Sequence, residues 1–209
     1  VAAGPLFIVL SLYQMSIREG FDIRRHTLSL LENGDLGWIQ VANFMITGLL
    51  LIVDAVGLRR VLRGSRGGTW GPLLLGLYGL GWVGAAIFTA DPMNGFPPGT
   101  PIGNPVTIST HSLMHFVTAG IGFLGFISAC FVFARRFAGL KQTGWMMYSI
   151  VAGVLFLVAF VGIASGSQAP WASPAFATAA SIGFIWISAL SLRVKKELNG
   201  QIENPVSDT

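Results

Sequence analysis

Residues 91–115 read DPMNGFPPGTPIGNPVTISTHSLMH, and this stretch decides how the rest of the chain is interpreted. Five prolines and three glycines between positions 92 and 105 exclude a continuous helix, because proline removes an amide donor and glycine permits tight turns. An ordered loop is therefore expected between two helices. If Ser109 or Thr110 caps the second helix, His111 and His115 lie one turn apart on the same helical face.

The composition of the chain indicates a membrane protein. Hydrophobic residues make up 53% of the 209 positions and charged residues 11%, whereas a soluble domain carries about 25% charged residues. The single cysteine, Cys130, excludes a disulfide framework and a cysteine-ligated zinc site within one chain. Expected partners are membrane lipids and other membrane protein subunits. No nucleic-acid partner is expected, because the basic excess is attributed to orientation in the membrane.

Six apolar runs are predicted to be transmembrane helices, and they cover residues 2–17, 40–62, 70–90, 111–133, 145–165 and 175–192. The first run is shorter than the roughly 20 residues that cross a hydrocarbon core. No small-x-small cleavage site follows it, so it is interpreted as a span and not as a signal peptide. The sequence begins at Val1 without a methionine, which leaves room for upstream residues. The predicted fold class is all-α, with one six-helix domain over residues 1–192 and a polar tail over 193–209.

Two residue types are expected to shape the helix bundle. Glycines recur at short spacing in the third and fourth spans, at positions 71, 76, 79, 81, 84, 120, 122 and 125. Small residues of this kind let neighbouring membrane helices approach closely. Tryptophans at positions 38, 70, 145 and 171 fall at predicted span ends, which is typical of an aromatic belt at the membrane interface.

The distribution of basic residues predicts the orientation. Ten of the 13 Lys and Arg residues follow the second, fourth and sixth spans, and only Arg18, Arg24 and Arg25 lie on the other side. Because basic residues favour the cytoplasmic side, both termini are predicted to be cytoplasmic in the plasma (inner) membrane. The histidines and Asp22 and Asp91 then share the outer side.

Four segments together resemble a known family. They read FDIRRHTLSLL (21–31), WIQVANFMITGLL (38–50), FTADPMNGFPPGTP (88–101) and HSLMH (111–115). In this combination they resemble the uncharacterised prokaryotic membrane family known as domain of unknown function 998. The resemblance extends from about residue 20 to the sixth span. It implies a six-span architecture and brings no established activity with it.

The side chains predicted to carry chemistry are His26, His111 and His115, with Asp22 and Asp91 beside them. Three imidazoles could hold zinc with one position open for water, with Asp91 as a further candidate ligand. Such a metal activates its water, and Asp22 or Asp91 could serve as general base. In the alternative interpretation the histidines are structural. They would then hydrogen-bond the proline-rich loop to the first loop, with Asp91 accepting from Arg24, Arg25 or a histidine.

The sequence is compatible with three functions. The first is a metal-dependent hydrolase that acts on a lipid or amphiphile at the outer face, and the second is a non-catalytic accessory or scaffold subunit of a membrane complex. A small transporter comes third, because Asp54 is the only candidate charge within a predicted span and no inverted repeat is evident. The loop 91–109 is further predicted to pack on residues 21–31, since its prolines reduce the entropy that is lost on ordering.

Overall fold

The computed structural model describes residues 2–167 and 169–203, with side chains up to Leu198. Its helices are α1 (Ala3–Ile17), α2 (Gly37–Val61), α3 (Trp70–Ile87), α4 (Thr110–Gly139), α5 (Thr143–Ala164) and α6 (Ala172–Glu203), with a short 3-10 helix at Leu28–Glu32 before α2. The described part of the chain contains no β-strand, which confirms the all-α class. The helix α6 runs beyond the predicted end of the sixth span at Leu192. Residues 204–209 of the predicted tail lie outside the described residues.

Five helices are long and apolar enough to cross a membrane. These are α2, α3, α4, α5 and α6 (up to Leu198), with mean hydropathies between 1.4 and 2.4. At 1.5 Å per residue, the 15 residues of α1 extend about 22 Å, short of the roughly 30 Å hydrocarbon core. The prediction of six spans is thus confirmed for five, and α1 is a shorter apolar helix. Aliphatic side chains such as Val53 and Val158 are exposed on these helices and would contact lipid.

The helices pack in chain order, each against the next, and α1 also packs against α6. Glycines permit the closest approaches. A Cβ atom at Gly81 would lie 2.7 Å from the Cα of Gly122, and one at Gly79 would lie 2.8 Å from the carbonyl oxygen of Gly48. The predicted packing role is confirmed at these positions. It is wrong for Gly76 and Gly120, where an added Cβ would make only ordinary contacts.

Polar side chains inside the bundle connect the helices to one another. Between α1 and α2, the Gln14 side chain donates to Gln40, and Asn43 donates to the Oγ of Ser11. Between α2 and α6, Ser191 donates to the carboxylate of Asp54 at 2.6 Å. Polar groups buried among apolar helices need such partners, and these contacts stabilise the helix arrangement.

Two long loops, 18–36 and 88–109, fold onto each other at one end of the bundle. Their shared apolar cluster centres on Leu30, Leu31, Ala90 and Phe96, all of which are buried. The Phe96 ring packs edge-on against Phe21, and the Arg18 guanidinium lies over it. These contacts confirm the predicted packing of the two loops. We call this end, with residues 165–167 and 169–171, the loop end. The opposite end, with the turns 62–69 and 140–142, is the basic end.

Candidate functional site: an amphipathic cavity at the loop end

A cavity of about 740 Å³ lies at the loop end, within the size range of small-molecule sites. Helices α3, α4, α5 and α6 and the two long loops form most of its wall, and α1, α2 and the residues between α5 and α6 contribute the remainder. Its helix-facing part is largely apolar and aromatic, with contributions from Phe7, Phe44, Trp82, Phe123 and Phe176. Its loop-facing part includes Arg24, Arg25, Asn94 and Asn104 beside apolar side chains such as Met93 and Ile102. The lining of the cavity is therefore amphipathic.

His115 lies on α4 and borders this cavity. The helix begins after the predicted cap Ser109, and the Ser109 side chain accepts from the Ser112 amide. The His115 Nδ1 atom lies 2.7 Å from the carbonyl oxygen of Phe88, at the end of α3, and 3.4 Å from Oε2 of Glu32. Because a carbonyl only accepts, Nδ1 carries the proton, and in the neutral ring Nε2 is then a hydrogen-bond acceptor. His115 thus joins α3 to α4 and borders the cavity with an imidazole in a defined tautomer.

Glu32 is the functional candidate that the sequence did not single out. Its side chain is fully buried behind His115, and its Oε2 accepts from the Ala90 amide. Among the described residues, Oε1 has no hydrogen-bond partner. Burial raises the pKa of this carboxyl to about 9, so it is a neutral acid at pH 7. The available signal was a lone acidic residue that closes the apolar run LSLL in the first loop.

His26 uses one ring nitrogen within its own loop and the other to connect the two long loops. Its Nδ1 accepts from the Asp22 amide at 2.9 Å, and its Nε2 lies 3.0 Å from the Asn94 carbonyl oxygen. The carboxylate of Asp22 is paired with Arg24, and hydrogen bonds from Arg24 lower the pKa of Asp22 to about 2. The side chains of His26 and Asp22 therefore have structural partners. For His26 this agrees with the alternative interpretation, in which the histidines join the two loops by hydrogen bonds.

Asp91 and His111 lie near the start of α4. Burial alone would raise the pKa of Asp91, but hydrogen bonds from Ser109 and Ser112 lower it overall. One of them is the Ser109 amide, which donates to Oδ2 at 2.8 Å. His111 is exposed, and its ring packs edge-on against Phe88. Asp91 thus fixes the junction of loop and helix.

The predicted zinc ligands do not form a group in the described part of the structure. No set of three or more His, Cys, Asp or Glu side chains there could hold a metal ion. The reason is the hydrogen bonding of the rings: His26 has both nitrogens engaged, and His115 points Nδ1 at backbone carbonyls. The described residues thus do not show His26, His111 and His115 grouped around one ion, and their assignment as metal ligands stays a prediction. Zinc binding itself, and the general-base roles of Asp22 and Asp91, stay predictions.

Buried apolar spans, exposed aliphatic surfaces and an internal cavity define the class of this molecule: it is a polytopic α-helical membrane protein. Within that class, residues 1–193 match the family described as "Protein of unknown function (DUF998)". The match covers most of the chain, so the chain belongs to this family, as the resemblance implied. No curated protein and no solved structure matches the chain.

Proposed function

We propose that the protein binds an amphiphilic molecule in the cavity at the loop end. The observation that carries this proposal is the lining of one cavity, which combines aromatic side chains from the helices with arginines and asparagines from the loops. An apolar chain would lie among Phe44, Trp82 and Phe123 and remove their surfaces from water, while a polar head would face the loops. Membrane lipids are amphiphilic and contact the spans, so ligands of this kind are present around the protein.

Gly120 offers a direct test, because it borders the cavity and has room for a side chain. A Cβ atom there would lie 3.8 Å from Phe160, an ordinary contact, so Gly120→Leu fills cavity space without separating helices. Protein purified in nonionic detergent is analysed by native mass spectrometry for retained amphiphile. We expect the wild type to retain one molecule and Gly120→Leu to bind it about tenfold more weakly, an effect of about 1.4 kcal/mol, with lower retention.

The matched control is Gly57→Leu. Nothing lies within 4 Å of a Cβ atom at Gly57, on the opposite half of the bundle, so the same substitution there leaves the cavity intact. We expect wild-type retention in this variant. Equal retention in wild type, Gly120→Leu and Gly57→Leu would contradict binding in the cavity.

Hydrolysis of the bound amphiphile is a second candidate, which His115 favours. In the neutral tautomer, Nε2 could take a proton from water as the water oxygen attacks an ester carbonyl, releasing an acid and an alcohol. The test is release of oleic acid from oleoylglycerol, with and without added zinc, by the wild type and His115→Gln. Release by wild type alone supports a hydrolase, and no release under either condition contradicts it. The accessory-subunit and transporter hypotheses stay predictions.

The orientation in the membrane is also a proposal: six spans with both termini cytoplasmic, including α1. The asymmetry of Lys and Arg between the two ends supports it. Single cysteines at positions 65 and 104 probe opposite ends, and the native Cys130 is buried and contributes no background. We expect a membrane-impermeant thiol reagent to label position 104 and not 65 in intact cells. The reverse pattern would invert the topology.

A further inference from the structure

The charges around the cavity are of one sign, which bears on the head group of its ligand. Among the described residues that line it, Arg24 and Arg25 carry charge, and no Asp or Glu side chain does. The acidic groups close to lining residues have other partners: Asp22 Oδ2 lies 2.9 Å from the terminal nitrogen of Arg24, and Asp91 accepts from the Ser109 amide. Glu32, behind His115, is neutral because burial raises its pKa. A negatively charged group at the loop-facing part of the cavity would therefore meet positive charge and no opposing carboxylate.

The two arginines differ in how their charge is balanced. Arg24 is engaged by Asp22 through several hydrogen bonds from its guanidinium. Arg25 forms no ion pair within the described part of the chain and feels Asp22 only at longer range. A guanidinium offers donors in a planar fork that suits phosphate and carboxylate oxygens. Arg25 is thus the residue whose donors are available to a ligand.

The backbone around Arg25 is held by both long loops. Its amide donates to the Asp22 carbonyl at 2.9 Å, and the adjacent His26 binds the Asn94 carbonyl in the other loop. Ser173 at the start of α6 donates to the His26 carbonyl at 2.7 Å, which ties this segment to the cavity wall. The position of Arg25 relative to the aromatic part of the cavity is therefore fixed by contacts on three sides.

We propose that the ligand carries an oxyanion on its head group, and that Arg25 binds this oxyanion while the apolar chain occupies the aromatic part of the cavity. The inference rests on the proposed amphiphile-binding function and adds the chemical class of the head. Arg24 stands beside it with a charge that Asp22 largely neutralises. Arg25 therefore provides the discrimination between charged and uncharged amphiphiles.

The test compares two ligands that differ only in the phosphate: 1-oleoylglycerol and 1-oleoylglycerol 3-phosphate. Binding to the full chain in nonionic detergent is measured by titration at low salt. A hydrogen bond to a charged oxygen is stronger than one to a neutral hydroxyl, so we expect the phosphate ester to bind at least about tenfold more tightly. The preference should shrink in high salt, because screening weakens the interaction of partly exposed charges.

Variants of Arg25 test whether this side chain causes the preference for the phosphate ester. Arg25→Gln should reduce it to less than about twofold, and Arg25→Lys should keep only part of it, because the charge remains while the planar fork is lost. Arg60→Gln, at the exposed basic end of α2, is the matched control and should keep the full preference. Unchanged thermal unfolding of Arg25→Gln shows that the variant is folded, and the Lys variant carries the test if it is not.

The outcomes separate the inference from the function on which it rests. Equal affinity of wild type for both ligands, with saturable binding, overturns the oxyanion inference and leaves amphiphile binding in place. No saturable binding of either ligand overturns the proposed function as well. Displacement of the phosphate ester by equimolar inorganic phosphate would show that free phosphate is the ligand and would overturn the amphiphile part. We expect no displacement.

Discussion

The two ends of the bundle are built differently. At the loop end, the loops 18–36 and 88–109 bury Phe96, Leu30 and Leu31 against each other and help to enclose the cavity. At the basic end, short turns join the helices. There Arg136 of α4 donates to the Oγ of Ser65 and to the carbonyl of Arg66, which links α4 to the turn 62–69. The loop end also holds all three histidines and the buried Glu32.

This difference indicates where function resides. Long loops must satisfy their own backbone groups, and they lose conformational entropy when they become ordered. Short turns would connect the helices without this loss of entropy, so the ordered loops indicate a role beyond connection. The basic end needs only short turns and positive charge, which suffice to connect helices and orient them in a membrane. We therefore expect substitutions at the loop end to affect binding and substitutions at the basic end to leave it unchanged.

The largest effect is expected from Phe96→Ala. The Phe96 side chain is fully buried between the loops, and deletion of such a ring costs about 3–5 kcal/mol. Hydrogen exchange should rise across 18–36 and 88–109 and stay unchanged in the turn 62–69. Ile102→Ala is the control, because Ile102 lies in the same loop and is 79% exposed. Uniform loosening of both ends by Phe96→Ala would show that the ends are not independent.

Gly81→Ala tests close helix packing at the loop end. The new Cβ atom would lie 2.7 Å from the Cα of Gly122 and 2.9 Å from the Thr118 carbonyl oxygen, so α3 and α4 must move apart. Overpacking of this kind lowers the free energy of unfolding by about 1–3 kcal/mol.

The control for this substitution is Gly57→Ala, toward the basic end. Open space surrounds Gly57, and the change from glycine to alanine favours a helix by up to about 1 kcal/mol. Denaturant unfolding in detergent compares the two variants. A stabilised Gly81→Ala variant would disprove the tight α3–α4 contact.

The pH dependence of stability should trace to Glu32. Its pKa is raised from 4.5 to about 9 by burial, so the folded state retains a proton that the unfolded state releases above pH 4.5. The stability that this carboxyl contributes is fully present below pH 4.5 and is lost as pH rises toward 9. The melting temperature of the wild type should fall from pH 5 to pH 9, and Glu32→Gln should flatten that decline. Parallel pH profiles of both proteins would contradict a buried neutral Glu32.

The smallest effect is expected at the basic end. Arg60 is exposed at the end of α2, and substitutions at such surface positions change the free energy of unfolding by about 0.5 kcal/mol or less. Arg60→Gln should retain wild-type thermal stability and wild-type amphiphile retention. A loss of retention in this variant would extend the functional surface to the basic end and remove the contrast between the ends.

The sequence by itself determined where the helices, the long loop and the cap of α4 lie, because these features depend on neighbouring residues. Apolar runs placed the helices, the prolines of 91–109 placed the loop, and Ser109 was correctly identified as a possible cap of α4. The packing of the two loops was also predictable, because apolar side chains in both required a partner. The shortness of α1 was visible from the sequence as well.

Only the tertiary structure decided which polar groups meet. Histidines and carboxylates on one side suggested a shared metal ion, yet His26 bonds the Asn94 carbonyl, Asp91 accepts from the Ser109 amide, and His115 lies beside Glu32. Hydropathy is a property of consecutive residues, whereas these pairings join segments far apart in the chain. They depend on how two loops fold over the helix ends, and that arrangement also created the cavity.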